Sequence, residues 1–359
     1  MRLLADVSCH GFGHMMQTSR VLAALAARDA DLDVVLRTDI AAHDLARFWD
    51  GPGARLPGPL DPALAMSAPD RIDFAATAAG YRDFPARFEA SVADSEAAID
   101  RVRPDLIYAN IAAPGLVAGR RKGVPTVALC SLNWADLLRD AVPEGTVGED
   151  AIALLDDAYA GADAFLMPAP SMPMRPHANQ TAIGPIGSLG RARGAEVRRV
   201  LGFAPDMPLG LVTWGGWTTS VDAKFLTALP EEIGWIFDAA PILAAGISHI
   251  DLVASCAILI AKPGYGTFVE AIANRVRLVH VERPGWPETP ALNDWARRHG
   301  LAVEIPKATG PDDAARTIRA LMAETPPAPP ALTGADEAAE ILLDLAGTAV
   351  ARRPERVQH

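Results

Sequence analysis

"CAILIAKPGYGTFVEAIANRVRLVHVE", Cys256 to Glu282, sets an apolar run, a glycine turn, a helical segment and a second apolar run in direct succession. The first run reads as a buried strand over Ala257–Ala261. Apolar runs joined by a helix indicate parallel strands covered on both faces. The turn Lys262-Pro263-Gly264-Tyr265-Gly266-Thr267 then falls at a strand's carboxyl end, where a helix begins. Lys, two Gly and Thr in that position are what phosphate binding uses. Helix-terminal amides point outward, Gly264 and Gly266 permit close approach, Thr267 offers a hydroxyl and Lys262 adds charge. It is not a Walker loop, because the Lys precedes the glycines and no GK[ST] follows. Glu270 is placed on the first turn of the helix, on the same face as Thr267. As an acid it could accept from ribose hydroxyls, or it could close a T-x-x-E capping box with Thr267. Residue types leave both open.

The same pattern recurs at the chain start. "RLLADVSC" reads as a strand, "HGFGHMMQTSRVLAALAAR" (His10–Arg28) as a turn and a helix over Met15–Arg28, and "LDVVLRT" as the next strand. Gly11 and Gly13 supply G-x-G, but Met16 stands at the third glycine position, so the dinucleotide fingerprint fails. The glycines leave room for a ligand. His14 falls at the helix start, where the dipole favours neutral imidazole, a form able to accept a proton. His10 flanks the same turn. The plainer alternative is a histidine that only caps or packs there.

Between and beyond these turns the pattern continues. "FEASVADSEAAIDRVRP" and "GLVAGRRKG" read as helices, "DLIYAN" and "PTVALCS" as strands, and "LPGPLDPALAMSAPDRID" as a long loop. Pro, Gly and polar residues in "MPAPSMPMRPHANQTAIGPIGSLGRARG" read as a linker. With 359 residues, 50% hydrophobic, two domains are expected. They are residues 1–187 and 188–349, with the last helix packing back on the first domain and a frayed tail at 350–359. A net charge of -11 argues against nucleic acid or an anionic membrane as partner. Cys9, Cys130 and Cys256 lack ligand spacing and read as buried free thiols of a reducing cytoplasm. No apolar stretch reaches roughly 18 residues, so no membrane span is expected and a soluble cytoplasmic protein is. Asp29, Asp31 and Asp33 read as a solvated turn, and no metal site is expected.

Taken together, the two glycine turns resemble those of GT-B glycosyltransferases, two Rossmann-like parallel-sheet α/β domains facing across a cleft. The likeness is greatest to the group containing the peptidoglycan GlcNAc-transferase and to the glycosyltransferase-like half of plant arabinokinases. "KPGYGTFVE" is similar in register to H-C-G-W-N-S-x-L-E of plant glucosyltransferases. That match implies that Lys262 replaces a phosphate-contacting His, that Gly264, Gly266 and Thr267 line the diphosphate, and that Glu270 binds ribose. "GFGHMM" resembles "GHGFGH", which implies His14 as general base, with His10, Gly11 and Gly13 on the acceptor side. "TWGGW" resembles an "FGG" turn, placing Gly215 and Gly216 near the donor. "GWPETP" resembles "NEEP", placing Glu288 near the donor sugar. "SLNWADLL" resembles "NFTWDWIY", placing Trp134 and Asp136 on the acceptor side. Where the arabinokinase-like pattern has Asp in "SDI", this chain has Asn110, which would orient His14 more weakly and without charge.

The resemblance implies inverting, metal-independent transfer from a nucleotide diphosphate sugar, UDP-linked, to a hydroxyl acceptor, with small molecules as partners and no separate cofactor. Trp134, Trp214, Trp217 and Trp286 fall near the same loops, and Trp217 is the expected stacking surface. Two alternatives stay open: an epimerase or hydrolase on the same scaffold, and a non-catalytic regulatory protein that binds a sugar nucleotide.

Overall fold

A computed structural model describes residues 1–10, 12–45, 48–49, 51, 53–58, 62–68, 70–214 and 223–352. The chain divides into two compact units, Met1–Ala65 with Ile72–Ile186 and Thr333–His359, and Met66–Arg71 with Gly187–Leu332.

The first unit opens with β1 (Arg2–Val7), β2 (Asp33–Arg37) and β3 (Gly53–Leu56); the chain then forms a small two-stranded pair, β4 (Met66–Ala68) and β5 (Arg71–Ile72), of which all but Ile72 groups with the second unit. The main sheet resumes with β6 (Leu106–Asn110), β7 (Thr126–Leu129), β8 (Ala164–Pro168) and β9 (Gln180–Ile183). Its order is β3-β2-β1-β6-β7-β8-β9, every neighbouring pair parallel. Order reverses between β1 and β6, and the crevice at such a switch point is where α/β sheets hold ligands.

Helices follow from apolar spacing. Phe84–Val102 buries Phe84, Phe88, Val92, Ser95, Ile99 and Val102 along one stripe, with a proline in its first turn. That proline starts the helix four residues ahead of the segment read from sequence. Ala113–Lys122 ends at Gly123, whose φ of 66° is left-handed and costs glycine little. The closing helix Gly334–Arg352 packs on Phe12–Ala26, tied by Arg28 Nη1 to Asp336 Oδ1 at 2.7 Å.

The second unit carries β10 (Leu209–Thr213), β11 (Gly234–Ile236), β12 (Ile258–Ala261), β13 (Arg277–Val281) and β14 (Ala302–Ile305). They form a parallel sheet ordered β11-β10-β12-β13-β14. Ile258, Ile260, Val279 and Val281 pack with Ala314, Ile318 and Leu321 of the helix Pro311–Ala323. Burying each large apolar side chain contributes about 1.5–3 kcal/mol.

Three expectations differ from the structure. The stretch that reads as a long loop holds β4 and β5, and its residues Met66–Arg71 group with the second unit. The stretch that reads as a linker contains β9, an edge strand with one buried residue and thus little apolar signal. Cys130 and Cys256 are buried free thiols, but Cys9 is exposed, because the chain has already left β1 at Val7. Among the described residues no helix is long and apolar enough to cross a membrane.

Candidate functional site

The first candidate site lies at the carboxyl ends of β1 and β6, paired up to Val7 opposite Asn110. The helix Phe12–Ala26 starts there, and its residues His14, Gln17 and Thr18, spaced i, i+3 and i+4, turn one face toward β6. His14 Nδ1 lies 2.8 Å from Asn110 Oδ1 and 3.6 Å from the Cys130 thiol. Asn110 Nδ2 donates to Gln17 Oε1 at 3.1 Å, and Gln17 Nε2 reaches Ser131 Oγ at 3.5 Å. Tyr108 and Thr18 hydroxyls meet at 3.4 Å. Because the Asn110 amide nitrogen is spent on Gln17, its oxygen faces the imidazole. Nδ1 must then carry the proton, and Nε2 is left with its lone pair.

Burial pushes the His14 pKa down to about 4, while the Asn110 bond pulls the other way. The imidazole is therefore neutral at pH 7, and the positive end of the helix dipole acts in the same direction as burial. Burial likewise raises the Tyr108 phenol, which stays protonated. Trp134 is fully buried, its ring centroid 5.7 Å from His14 and 5.2 Å edge-on from His10. Its indole N–H has no hydrogen-bond partner among the described residues. Gly13 faces open space, since a Cβ built on it would meet nothing within 4 Å.

Asp136, three-hundredths exposed, lies in the first turn of the helix Trp134–Ala141 and spends its carboxylate on that helix's start and on the distant Arg175. It accepts from Asn133 Nδ2 at 2.9 Å, Arg139 Nη1 at 2.9 Å and the Arg175 backbone amide at 2.9 Å. The structure thus brings His10, His14, Asn110 and Trp134 together and gives Asp136 a bracing position. Gly11 lies outside the described residues.

The second candidate site lies at the carboxyl ends of the neighbouring parallel strands β12 and β13. Lys262 follows β12 directly, and the helix Tyr265–Ala273 begins after Gly264, its N-cap, with no side-chain capping bond. Thr267 is therefore not the N-cap, and the capping-box reading of Glu270 fails. Counted from Tyr265, Glu270 is the sixth helical residue, so it stands on the second turn and not the first. The helix is held by burial of Phe268, Val269, Ala271 and Ile272. Asn274 at its end donates to the Ser188 and Glu270 carbonyls at 2.9 and 2.8 Å and accepts from the Gly190 amide at 2.8 Å, which laces the loop 187–190 beside Glu270.

Lys262 Nζ lies 3.9 Å from where a Cβ on Gly264 would sit, so the amine folds over the start of the helix. Burial, followed by the neighbouring Arg283 guanidinium, pushes its pKa down to about 7, against the pull of Glu288 and Asp70. After β13 the chain runs Glu282-Arg283-Pro284-Gly285-Trp286, and Gly285 at a φ of 74° lets it reverse. Trp286 folds back under Arg283, whose Cζ stands 3.6 Å from the ring centroid. Arg283 Nη1 donates to the Pro263 carbonyl at 3.3 Å. Burial pushes its pKa down to about 10, with Glu288 and Asp70 opposing. Trp286 Nε1 donates to the buried Glu288 at 3.5 Å. Asp70 pairs with Lys307.

Lys262, Gly264, Gly266, Thr267 and Glu270 are thus carried by one turn and helix, with Glu288 in the field of Lys262. Gly215, Gly216 and Trp217 lie outside the described residues; the described part of that segment ends at Trp214, which is buried in the core. Sequence reasoning passed over Arg283 and Asp70. Arg283 had a usable signal, an arginine two residues past a continuous apolar strand. Asp70 had none, being distant in sequence and inside the supposed loop. Among the described residues no group of three or more His, Cys, Asp or Glu side chains is set to hold a metal ion.

No family model matches the chain. The curated protein L-arabinokinase of Arabidopsis thaliana is 23% identical over 318 residues, 83% of this chain and 30% of that protein. The chain therefore spans under a third of the length of the curated relative that it matches. Among solved structures, spinosyn forosaminyltransferase SpnP is 17% identical with a TM-score of 0.59, covering 97% of this chain and 95% of that one. Glycosyltransferase VinC, in complex with dTDP, is 18% identical with a TM-score of 0.57, covering 97% and 96%. UGT89C1 of Arabidopsis thaliana, complexed with UDP, is 11% identical with a TM-score of 0.57 over 98% of both chains. The chain has the fold of these GT-B glycosyltransferases.

Proposed function

We propose that this chain transfers a sugar from a nucleotide diphosphate sugar, UDP- or dTDP-linked, to a hydroxyl acceptor. The observation that carries this reading is Lys262, a buried amine with no carboxylate oxygen within 4.0 Å among the described residues, folded over a helix start whose N-cap, Gly264, makes no side-chain bond. Such an arrangement calls for an anion. Solved proteins of the same fold hold UDP or dTDP.

Each unit supplies one part of the reaction. In the second, Lys262 and the amides of Gly266 and Thr267 take the diphosphate, Glu270 accepts from ribose hydroxyls, and Glu288 accepts from the sugar. In the first, His14 Nε2 takes the acceptor's proton as the acceptor oxygen bonds to the anomeric carbon. The anomeric carbon–oxygen bond breaks with its electron pair going to the diphosphate, and attack from the opposite face inverts the anomeric centre. Lys262 and the helix amides meet the charge on the leaving group, so the reading requires no metal. The bond from His14 to Asn110, at 2.8 Å, favours catalysis over a purely regulatory binding role, because it fixes the one tautomer that a base needs.

A thermal-shift screen of nucleoside diphosphates and their sugars tests this. At about 100 times its dissociation constant, a matching ligand stabilises by about 2.7 kcal/mol. A shift with UDP or dTDP, and transfer to an acceptor panel that survives EDTA, is the expected result. No shift with any nucleoside diphosphate contradicts it.

A further inference from the structure

Arg283 is one of the most buried charged side chains in the second unit, 7% exposed, and it is not used up by its surroundings. Nη1 reaches the Pro263 carbonyl, but Nε, itself buried, has no hydrogen-bond partner among the described residues. No carboxylate oxygen lies within 4.0 Å of its nitrogens or of Lys262 among the described residues, since Asp70 is paired with Lys307 and Glu288 meets Trp286. A buried donor left unmade is costly, and the two neighbouring cations repel each other, while Glu288 and Asp70 act on them only from beyond salt-bridge distance. The Trp286 ring holds the guanidinium plane against the turn that starts the helix Tyr265–Ala273. Everything about the position is built, except an acceptor.

We infer that Arg283 is a second cation of the diphosphate site, donating to the phosphate oxygens of the nucleotide sugar together with Lys262. The inference rests on the donor reading above and extends it. A diphosphate leaves with more negative charge than one lysine and a helix end can balance. A guanidinium fixed on an indole offers directed donors, which the ammonium does not. The two cations come from the ends of adjacent strands, so the leaving group would be gripped from both β12 and β13.

Inorganic pyrophosphate, uridine, UDP, UDP-glucose and UDP-glucuronate are titrated calorimetrically into wild type, Arg283→Gln and Arg283→Lys. Arg283→Gln is expected to weaken pyrophosphate and UDP by about 10- to 100-fold and to leave uridine unchanged. Arg283→Lys keeps the charge and loses the directed donor, and is expected to weaken pyrophosphate by about threefold. Should Arg283→Gln not fold, the Lys variant decides, and affinity equal to wild type overturns the inference. Unchanged pyrophosphate and UDP binding in Arg283→Gln overturns it as well. A loss confined to UDP-glucuronate also overturns it, because the guanidinium then reads a sugar carboxylate. Pyrophosphate binding that depends on Arg283, with UDP no tighter than pyrophosphate, upholds the anion site and removes the nucleotide reading instead.

Discussion

Around His14 the polar groups are amides, hydroxyls and a thiol, from Asn110, Gln17, Ser131, Tyr108, Thr18 and Cys130. Around Lys262 they are charged, with Arg283, Glu288 and Asp70 all acting on its ammonium. Both groups sit beside a helix start at the carboxyl end of a parallel strand, and burial pushes both pKa values down. The outcomes differ. An uncharged network at the imidazole fixes which nitrogen holds the proton without adding charge, which suits a group that must receive a proton. At the second turn two cations with no carboxylate oxygen within 4.0 Å among the described residues, and an unmet donor at Arg283 Nε, leave room for an anion. Identical local topology has been given opposite chemistry by its side chains.

Removing the imidazole is the largest perturbation. His14→Ala is expected to lower transfer by about 10²- to 10⁴-fold, with UDP affinity unchanged. Steady-state rates and calorimetry on one preparation check both halves, and comparable loss of binding breaks the division of labour between the turns.

Next in size is the pH response of the charged turn. With Lys262 titrating at about 7 in the free protein, anion binding must take up a proton above that pH. The affinity of UDP-glucose, whose phosphates do not titrate in this range, should be flat below pH 7 and fall as pH rises, at most about tenfold per pH unit. Lys262→Met should bind more weakly and lose the slope. A slope of the opposite sign, or one that survives in the variant, contradicts the assignment.

The smallest expected effect sharpens the neutral side. Asn110→Asp places a carboxylate 2.8 Å from Nδ1 and should raise the His14 pKa from about 4 by about 1–3 units. Histidine NMR titration reads this directly. An unmoved value means that Asn110 does not hold the ring in solution.

Much of this was legible because buried parallel strands are continuous apolar runs. "RLLADV", "LIYAN" and "ILIA" announced β1, β6 and β12, and the turns carrying His14 and Lys262 followed from them. The edge strands β3 and β9 were not legible, as they are largely exposed and their residues lack an apolar signal. The capping-box alternative for Glu270 turned on where the helix begins, a matter of a few residues that spacing alone does not settle. Arg283 escaped notice because a lone arginine after a strand is common. Its meaning comes from Trp286 beneath it and from the missing partner at Nε, which only tertiary structure shows.

The most direct measurement is calorimetric titration of UDP and dTDP into wild type, His14→Ala and Glu270→Ala. The expected result is saturable binding of at least one nucleotide, equal in His14→Ala and at least about tenfold weaker in Glu270→Ala, where a charge-assisted bond to ribose is lost. Absence of binding in the wild type, or affinity in Glu270→Ala equal to wild type, contradicts a donor site at the Lys262 turn.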